Sequence, residues 1–406
     1  MNQGDRLHQI IAHAYECSPA ARAQFERAGL QPADIQVEAD LEKLPVTRKQ
    51  ALLELQGKAP PFGGFLGVPL ERLQRVFMSP GPIYDPQGEG EDYWRWAQAL
   101  RAAGFRAGDV VHNTFSYHLT PAGFMFDCGA RVLGCTVIPA GVGNTEHQVR
   151  MMRDLRVTAF TGVPSFLMTI IQKAGEMGFE FRRDFALRRA FFTAEMLPSS
   201  LRRKLEEDYG IDTYQGYGTA DLGCVAYECS EKQGLHLAAG VVVEVVDPRS
   251  GHRVPPGEVG EIVVTLLERA YPLLRFGTGD LSYLLEEPCP CGLSTPRLAG
   301  VLGRADDAVK VRGIFIHSRQ LEEVMKRFPQ VARYQAVVTR EGHQDELTIR
   351  VELDPAVEPA TFSREGLPRL EEQAREVLRL RATVQAVNTG TIPKGDKLLV
   401  DRRKWD

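Results

Sequence analysis

Between about residues 91 and 219 the chain switches repeatedly between two hydrophobic rhythms. "EDYWRWAQALRAAG", "PAGFMFDCGARVLG", "NTEHQVRMMRDLR", "PSFLMTIIQKAGEMG" and "PSSLRRKLEEDYG" space their apolar residues as helices do, with Asn144 opening the third. Between and after them lie "DVVHNTFS", "CTVIPAG", "TAFTGVP", "RAFFTAE" and "DTYQGYG", apolar runs of strand length. Strands alternating with helices of about a dozen residues predict a parallel sheet with helices on its faces. Ligands of such sheets bind at the carboxyl ends of the strands.

The flanks read differently. Residues 5–56 carry helical patterns in "LHQIIAHAYEC", "PAARAQFERAG" and "TRKQALLEL", the last following a proline and opening on a threonine cap. After residue 235 the pattern turns β-rich, with two apolar runs around the turn cluster "DPRSGHRVPPGEVG". This predicts a small antiparallel or barrel-like subdomain over about 235–300. From about 304 onward, strand, helix, strand, strand, charged helix (367–382) and strand make a compact α+β unit. The expected fold is therefore α/β, with a large N-terminal domain (1–304) and a small C-terminal domain (305–406).

Composition narrows the function. At 43% hydrophobic over 406 residues, the chain can bury two cores. A net charge of -4 argues against a nucleic-acid binder. The N-terminus has no signal-peptide core, and the apolar stretch 121–142 is broken by Asp127, Arg131 and glycines. A cytoplasmic protein without a membrane span is expected. Seven cysteines, an odd number in a long chain, argue against a disulfide framework. Cys128 and Cys135 lie in apolar surroundings and read as small core residues.

Four short motifs carry polar chemistry, and each has a plain alternative. "RFGTGDLS" places Asp280 after a Gly-Thr-Gly turn, fit to accept two hydrogen bonds from a ribose diol or to serve as a turn aspartate. "TYQGYGTADLG" ends a strand with Gly216, Tyr217, Gly218 and Asp221, suited to an aromatic base and a metal ion or to a tight connection. "GRADDAVKVRG" reads alone as a solvated linker, and "IPKGDKLLVDRRKW" as a basic tail.

Their order along the chain resembles that of adenylate-forming acyl-CoA synthetases. "GDVVHNTFSY", "GCTVIPAGVGNTEHQ", "YECSEKQGLH", "VDPRSGHRVPPGEVGEIVVTLL", "EPCPCGLSTPRL" and "GRADDAVKVRGIFIHSRQLEEV" narrow the resemblance to the phenylacetate–CoA ligase branch, from about residue 7 onward. The resemblance implies ATP-dependent conversion of a carboxylic acid, aryl or arylacetic in kind, to an acyl-AMP, followed by transfer to coenzyme A. It implies a nucleotide site at Ala194, Glu195, Gly216, Tyr217, Gly218, Asp280 and Arg304. Asp221 would serve Mg²⁺, one methylene shorter than the family's usual glutamate. Phe115, Tyr117, Pro164 and Phe166 would line the acyl pocket. Asp306 matches the hinge of a mobile C-terminal domain and Gly313 the coenzyme A loop. Lys397, or Lys394 in a tail a residue or two shorter than the family's, matches the mobile catalytic lysine.

The resemblance also gives Cys229, His236, Cys289 and Cys291 a role as a closed structural Zn²⁺ site, against the alternative of reduced thiols near a surface turn. The implied partners are a small carboxylic acid, ATP and coenzyme A, with no nucleic acid and no membrane; a homodimer is compatible with a sequence that does not fix oligomeric state. "MSPGPIYDP" occupies the family's phosphate loop. Ser79, Gly81 and Pro86 persist, whereas hydroxyls, a glycine and a lysine give way to Pro82, Ile83, Tyr84 and Asp85. Gly277 stands for an arginine and Ala220 for a hydroxyl residue. These departures keep two other readings open. One is a non-catalytic nucleotide- or acyl-adenylate-binding relative; the other is adenylation with transfer to an amine or carrier protein.

Overall fold

The alternating segments form the parallel half of a nine-stranded sheet, with Thr136–Pro139 at its edge. Val110–Asn113, Thr136–Pro139, Ala159–Gly162, Arg189–Phe192 and Asp212–Thr219 run parallel, with Val110–Asn113 between Thr136–Pro139 and Ala159–Gly162. Every residue of Ala159–Gly162 is buried, as expected of a strand covered on both faces. The chain then doubles back through Gly223–Tyr227. Leu235–Leu237, Arg297–Leu298 and Leu284–Leu285 complete the sheet as antiparallel neighbours. This computed structural model describes residues 3–79, 81–248, 250–305, 308–312, 314–341, 344–393 and 397–403.

The strands of 235–300 thus divide between two sheets. Val241–Val246, Gly260–Leu266 and Phe276–Ser282 form a second, antiparallel one, whose middle strand is buried throughout. Its anchor is Arg275, 2% exposed. The guanidinium donates to Glu244 (3.0 Å) and to the carbonyls of Glu42, Leu44 and Gly251. A buried arginine is tolerable only when its donors are spent in this way. The clamp ties the strand that carries Asp280 to the N-terminal segment.

The chain forms two compact units, Met1–Ala305 and Asp306–Asp406. In the second unit, Val331–Glu341 and Gln344–Leu353 pair antiparallel, with Leu399–Asp401 and Thr383–Val387 parallel on their outer edges. Helices Ser318–Met325 and Leu367–Leu378 bury Leu321, Val324, Leu370 and Ala374 against Ile349 and Val351 of that sheet.

Three local expectations are corrected. Thr47 is no helix cap: it pairs with Phe276 in a short parallel strand, and the helix begins at Lys49. The helix expected from residue 91 begins at Trp96, because Asp92 accepts from the Trp96 and Ala97 amides and Arg95 takes a left-handed turn. The phosphate-loop segment is a β-hairpin, Arg75–Ser79 against Ile83–Gln87, with Ser79 opposite Ile83. Gly81 turns at φ 143°, where a side chain would be strained, and Ser79 directs its hydroxyl at the Ile83 carbonyl (3.5 Å).

Candidate active site

Most of the sequence-derived site residues of the first unit follow directly from the sheet's wiring. Phe115 and Tyr117 come just after Val110–Asn113, Pro164 and Phe166 after Ala159–Gly162, and Ala194 and Glu195 after Arg189–Phe192. All lie beyond the carboxyl ends of parallel strands, where open α/β sheets bind ligands. Asp280 joins them from the second sheet.

Asp280 is the hub. Its Oδ2 accepts from the Tyr217 hydroxyl at 2.7 Å, and its Oδ1 from Arg304 Nη1 at 3.0 Å. Arg304 lies directly opposite Asp280 in strand register. The Tyr217 phenol is raised well above its ordinary pKa by burial, reinforced by the charge of Asp280, so it remains a donor. Each carboxylate oxygen keeps lone-pair capacity for a further donor such as a sugar hydroxyl.

The glycines around Tyr217 have a packing cause. A Cβ on Gly216 would meet Phe191 at 2.8 Å, and one on Gly218 the Gly223 carbonyl at 2.2 Å and Trp96 at 2.8 Å. Ala194 holds φ 71°, a left-handed conformation that costs a non-glycine residue about 1–2 kcal/mol. Such strain concentrates at functional sites. Glu195 accepts from Ser165 at 2.7 Å, linking two strand ends.

Asp221 is fully buried and paired with Lys49, whose Nζ lies 2.5 Å from Oδ2. Sequence reading missed Lys49: 172 positions separate the partners, and only the fold brings them together. Burial alone would lower the Lys49 pKa. The attraction of Asp221, then Asp85 and Asp280, outweighs it and raises the value. Asp85, 1% exposed, is pushed well above the carboxylate range by burial and next by the Asp221 charge. Gly277 also has a cause: a side chain there would strike Glu261 Oε1 at 2.7 Å and Val46 at 2.9 Å. Arg48, opposite Gly277 in register, donates to Glu261 at 3.3 Å.

Among the residues expected at the acyl pocket, Phe115 is buried and stacks on Phe126 at 4.6 Å. Tyr117 accepts from Asn113 (2.7 Å) and donates to Asp127 (3.1 Å). Pro164 opens helix Pro164–Glu176, and Phe166 packs half-buried on its first turn.

Cys229, His236, Cys289 and Cys291 converge, their ligand atoms all within 4.8 Å of one another. The Cys229 and Cys289 sulfurs are 3.6 Å apart, too far for a disulfide, and Cys291 Sγ is 3.3 Å from His236 Nε2. Thr295 engages the other ring nitrogen at 2.9 Å, leaving Nε2 for the cluster. Burial lifts the Cys229 thiol to about 11. At Cys289 burial acts the same way, but hydrogen bonds from Cys291 and Cys229 prevail and lower the pKa. In the second unit, Lys397 is exposed at its side chain and anchored through its carbonyl to Gln335 Nε2 (3.1 Å). Asp306, Gly313 and Lys394 lie outside the described residues.

Residues 93–265 match the AMP-binding enzyme family and residues 313–403 the AMP-binding enzyme C-terminal domain. The phenylacetate-coenzyme A ligase of Thermus thermophilus is 35% identical over 364 residues, covering 86% of this chain and 80% of the relative. That of Aromatoleum evansii is 34% identical, covering 99% and 94%. The chain belongs to the phenylacetate–CoA ligase branch of the adenylate-forming superfamily. It is an AMP-forming acid–CoA ligase: it activates a carboxylic acid with ATP to an acyl-AMP and passes the acyl group to coenzyme A. A 2-hydroxyisobutyryl-CoA ligase, solved with 2-HIB-AMP and CoA in the thioesterification state, superposes with TM-score 0.86 at 27% identity over 98% of this chain and 89% of that one. No helix among the described residues of this ligase is long and apolar enough to cross a membrane.

Proposed function

We propose that this ligase takes an aryl or arylacetic acid, bound beside Phe115, Tyr117, Pro164 and Phe166, and holds the nucleotide through Asp280. The Tyr217–Asp280–Arg304 arrangement carries the reading: a carboxylate fixed from two sides, retaining acceptor capacity at the mouth of the sheet. Displacement at the α-phosphorus requires little covalent help from the protein. It requires positioning, with cations aimed at charge that spreads over phosphate oxygens. Lys397 is assigned that task, with Lys394 as its neighbour in the tail, Asp306 as hinge and Gly313 as the coenzyme A contact.

Two metal ions complete the proposal. Asp221 Oδ1 is buried without a hydrogen-bond partner among the described residues, which suits a hard cation such as Mg²⁺. Asp221 would hold Mg²⁺, with Lys49 sharing its carboxylate, and the bound ion would supply charge neutralisation at the phosphates. The Cys₃His cluster suits Zn²⁺ in a closed structural site. It would pin the turn carrying Cys289 and Cys291 to the main sheet.

The test is acyl-CoA formation from ATP, coenzyme A and a panel of aromatic, arylacetic and aliphatic acids. Thioester formation greatest with an aromatic member supports the reading, and a preference for short aliphatic acids refutes the substrate class. Thioester formed only from preformed acyl-AMP would show that the altered hairpin no longer handles a triphosphate.

A further inference from the structure

The altered phosphate hairpin buries a carboxylate that nothing above employs. Asp85 faces inward opposite Phe77, and neither of its oxygens has a hydrogen-bond partner among the described residues. Its charged neighbours are Asp221 and Lys49. The Ser79 hydroxyl beside it points to the Ile83 carbonyl. Asp221 Oδ1 is equally unpartnered, and so is the Tyr271 hydroxyl, which is 1% exposed and feels both carboxylate charges. Three carboxylate oxygens and a phenol oxygen are thus buried without partners among the described residues, on side chains that act on one another electrostatically, with Lys49 paired to Asp221 at 2.5 Å as the cation.

A charge on Asp85 beside the Lys49–Asp221 pair is costly in a place with little water unless a cation arrives. The donor set is all oxygen, the kind that hard divalent ions select, and Mg²⁺ commonly uses one or two carboxylates plus substrate phosphates. A divalent ion held by both carboxylates beside Lys49 would leave a local charge of +1, the sign a triphosphate needs. We infer that Asp85 is a second protein ligand, beside Asp221, of a divalent cation, so that this hairpin offers the nucleotide phosphates a metal ion where related loops offer a lysine. The inference rests on the proposed placement of Asp221 at the phosphate side. It goes further in requiring a preformed site that fills before nucleotide binds.

The experiment uses the full chain without nucleotide or acid, so adenylation activity has no bearing on its outcome. Mn²⁺ is titrated and the free ion followed by electron paramagnetic resonance, with Mg²⁺ as competitor. The parent should bind about one Mn²⁺ displaceable by Mg²⁺, and Asp85→Asn should bind it at least about tenfold more weakly. Asp85→Glu should restore most of the affinity. Mn²⁺ should also raise the unfolding temperature of the parent and not of Asp85→Asn, which reports on folding in the same series. Absence of Mn²⁺ binding by the parent, equal binding by Asp85→Asn, or failure of Asp85→Glu to recover affinity overturns the inference.

Discussion

The Tyr217 hydroxyl donates to Asp280 across 2.7 Å, although 63 positions separate the two residues and they belong to different sheets. That bond fixes the carboxylate proposed to recognise the nucleotide, so the two residues are expected to fail unequally. Asp280→Ala should abolish measurable ATP and AMP binding in calorimetry. Tyr217→Phe leaves Arg304 in place and should weaken binding by about 1.5–3 kcal/mol, the worth of one hydrogen bond to a charged group. Equal binding by the parent and Asp280→Ala would refute the assignment.

The thiol cluster should hold one zinc per chain after extensive dialysis, measured by elemental analysis. Cys291→Ser should lose metal and thermal stability together, because a structural site contributes folding free energy. Thr295→Val removes the side-chain partner of His236 and should weaken zinc about 10- to 100-fold while leaving the four ligands intact. Protein that keeps its stability without zinc would indicate plain reduced thiols.

Much of this was legible in the sequence because it is local. The alternation of strand and helix gave the parallel sheet, and residues following strand runs fall at its carboxyl ends. What stayed hidden was long-range. Thr47 and Arg48 look like a helix start until Phe276 and Gly277 offer them a strand partner. Lys49 meets Asp221 only through that pairing. Gly216 and Gly218 suggested close approach of a base, and the packing of Phe191, Trp96 and the Gly223 carbonyl against them could not be read from the sequence. No spacing rule marks such contacts in one chain. Asp85 was visible as a departure from the loop pattern, but its burial depends on a hairpin that the prolines obscured.

Asp92 gives a pH signature of folding. Burial raises its pKa from 3.8 to about 6, against the opposing amide hydrogen bonds of Ala97 and Trp96. A carboxyl raised in the folded state binds its proton more tightly there than when unfolded. Its contribution is therefore complete below 3.8 and is lost as pH rises through about 6. Asp92→Asn should gain thermal stability relative to the parent on going from about pH 4 to about pH 8. A difference that does not change with pH would show that Asp92 does not titrate in this way.

Lys397→Ala should slow acyl-AMP formation about 100- to 1000-fold, as removal of a group aimed at transition-state charge commonly does. It should largely spare transfer from preformed acyl-AMP to coenzyme A, and Asp306→Pro should impair the second step more than the first. Single-turnover measurements of each half-reaction separate these outcomes. A defect in Lys394→Ala with none in Lys397→Ala would move the catalytic role to the earlier lysine.

The most direct test of the account is exchange of labelled pyrophosphate into ATP, dependent on added carboxylic acid and measured without coenzyme A. It isolates the first half-reaction and makes no assumption about the acceptor. The account predicts acid-dependent exchange, greatest with an aryl or arylacetic acid and lost in Asp280→Ala. Absence of exchange with every acid, in folded protein that still binds AMP, would contradict it.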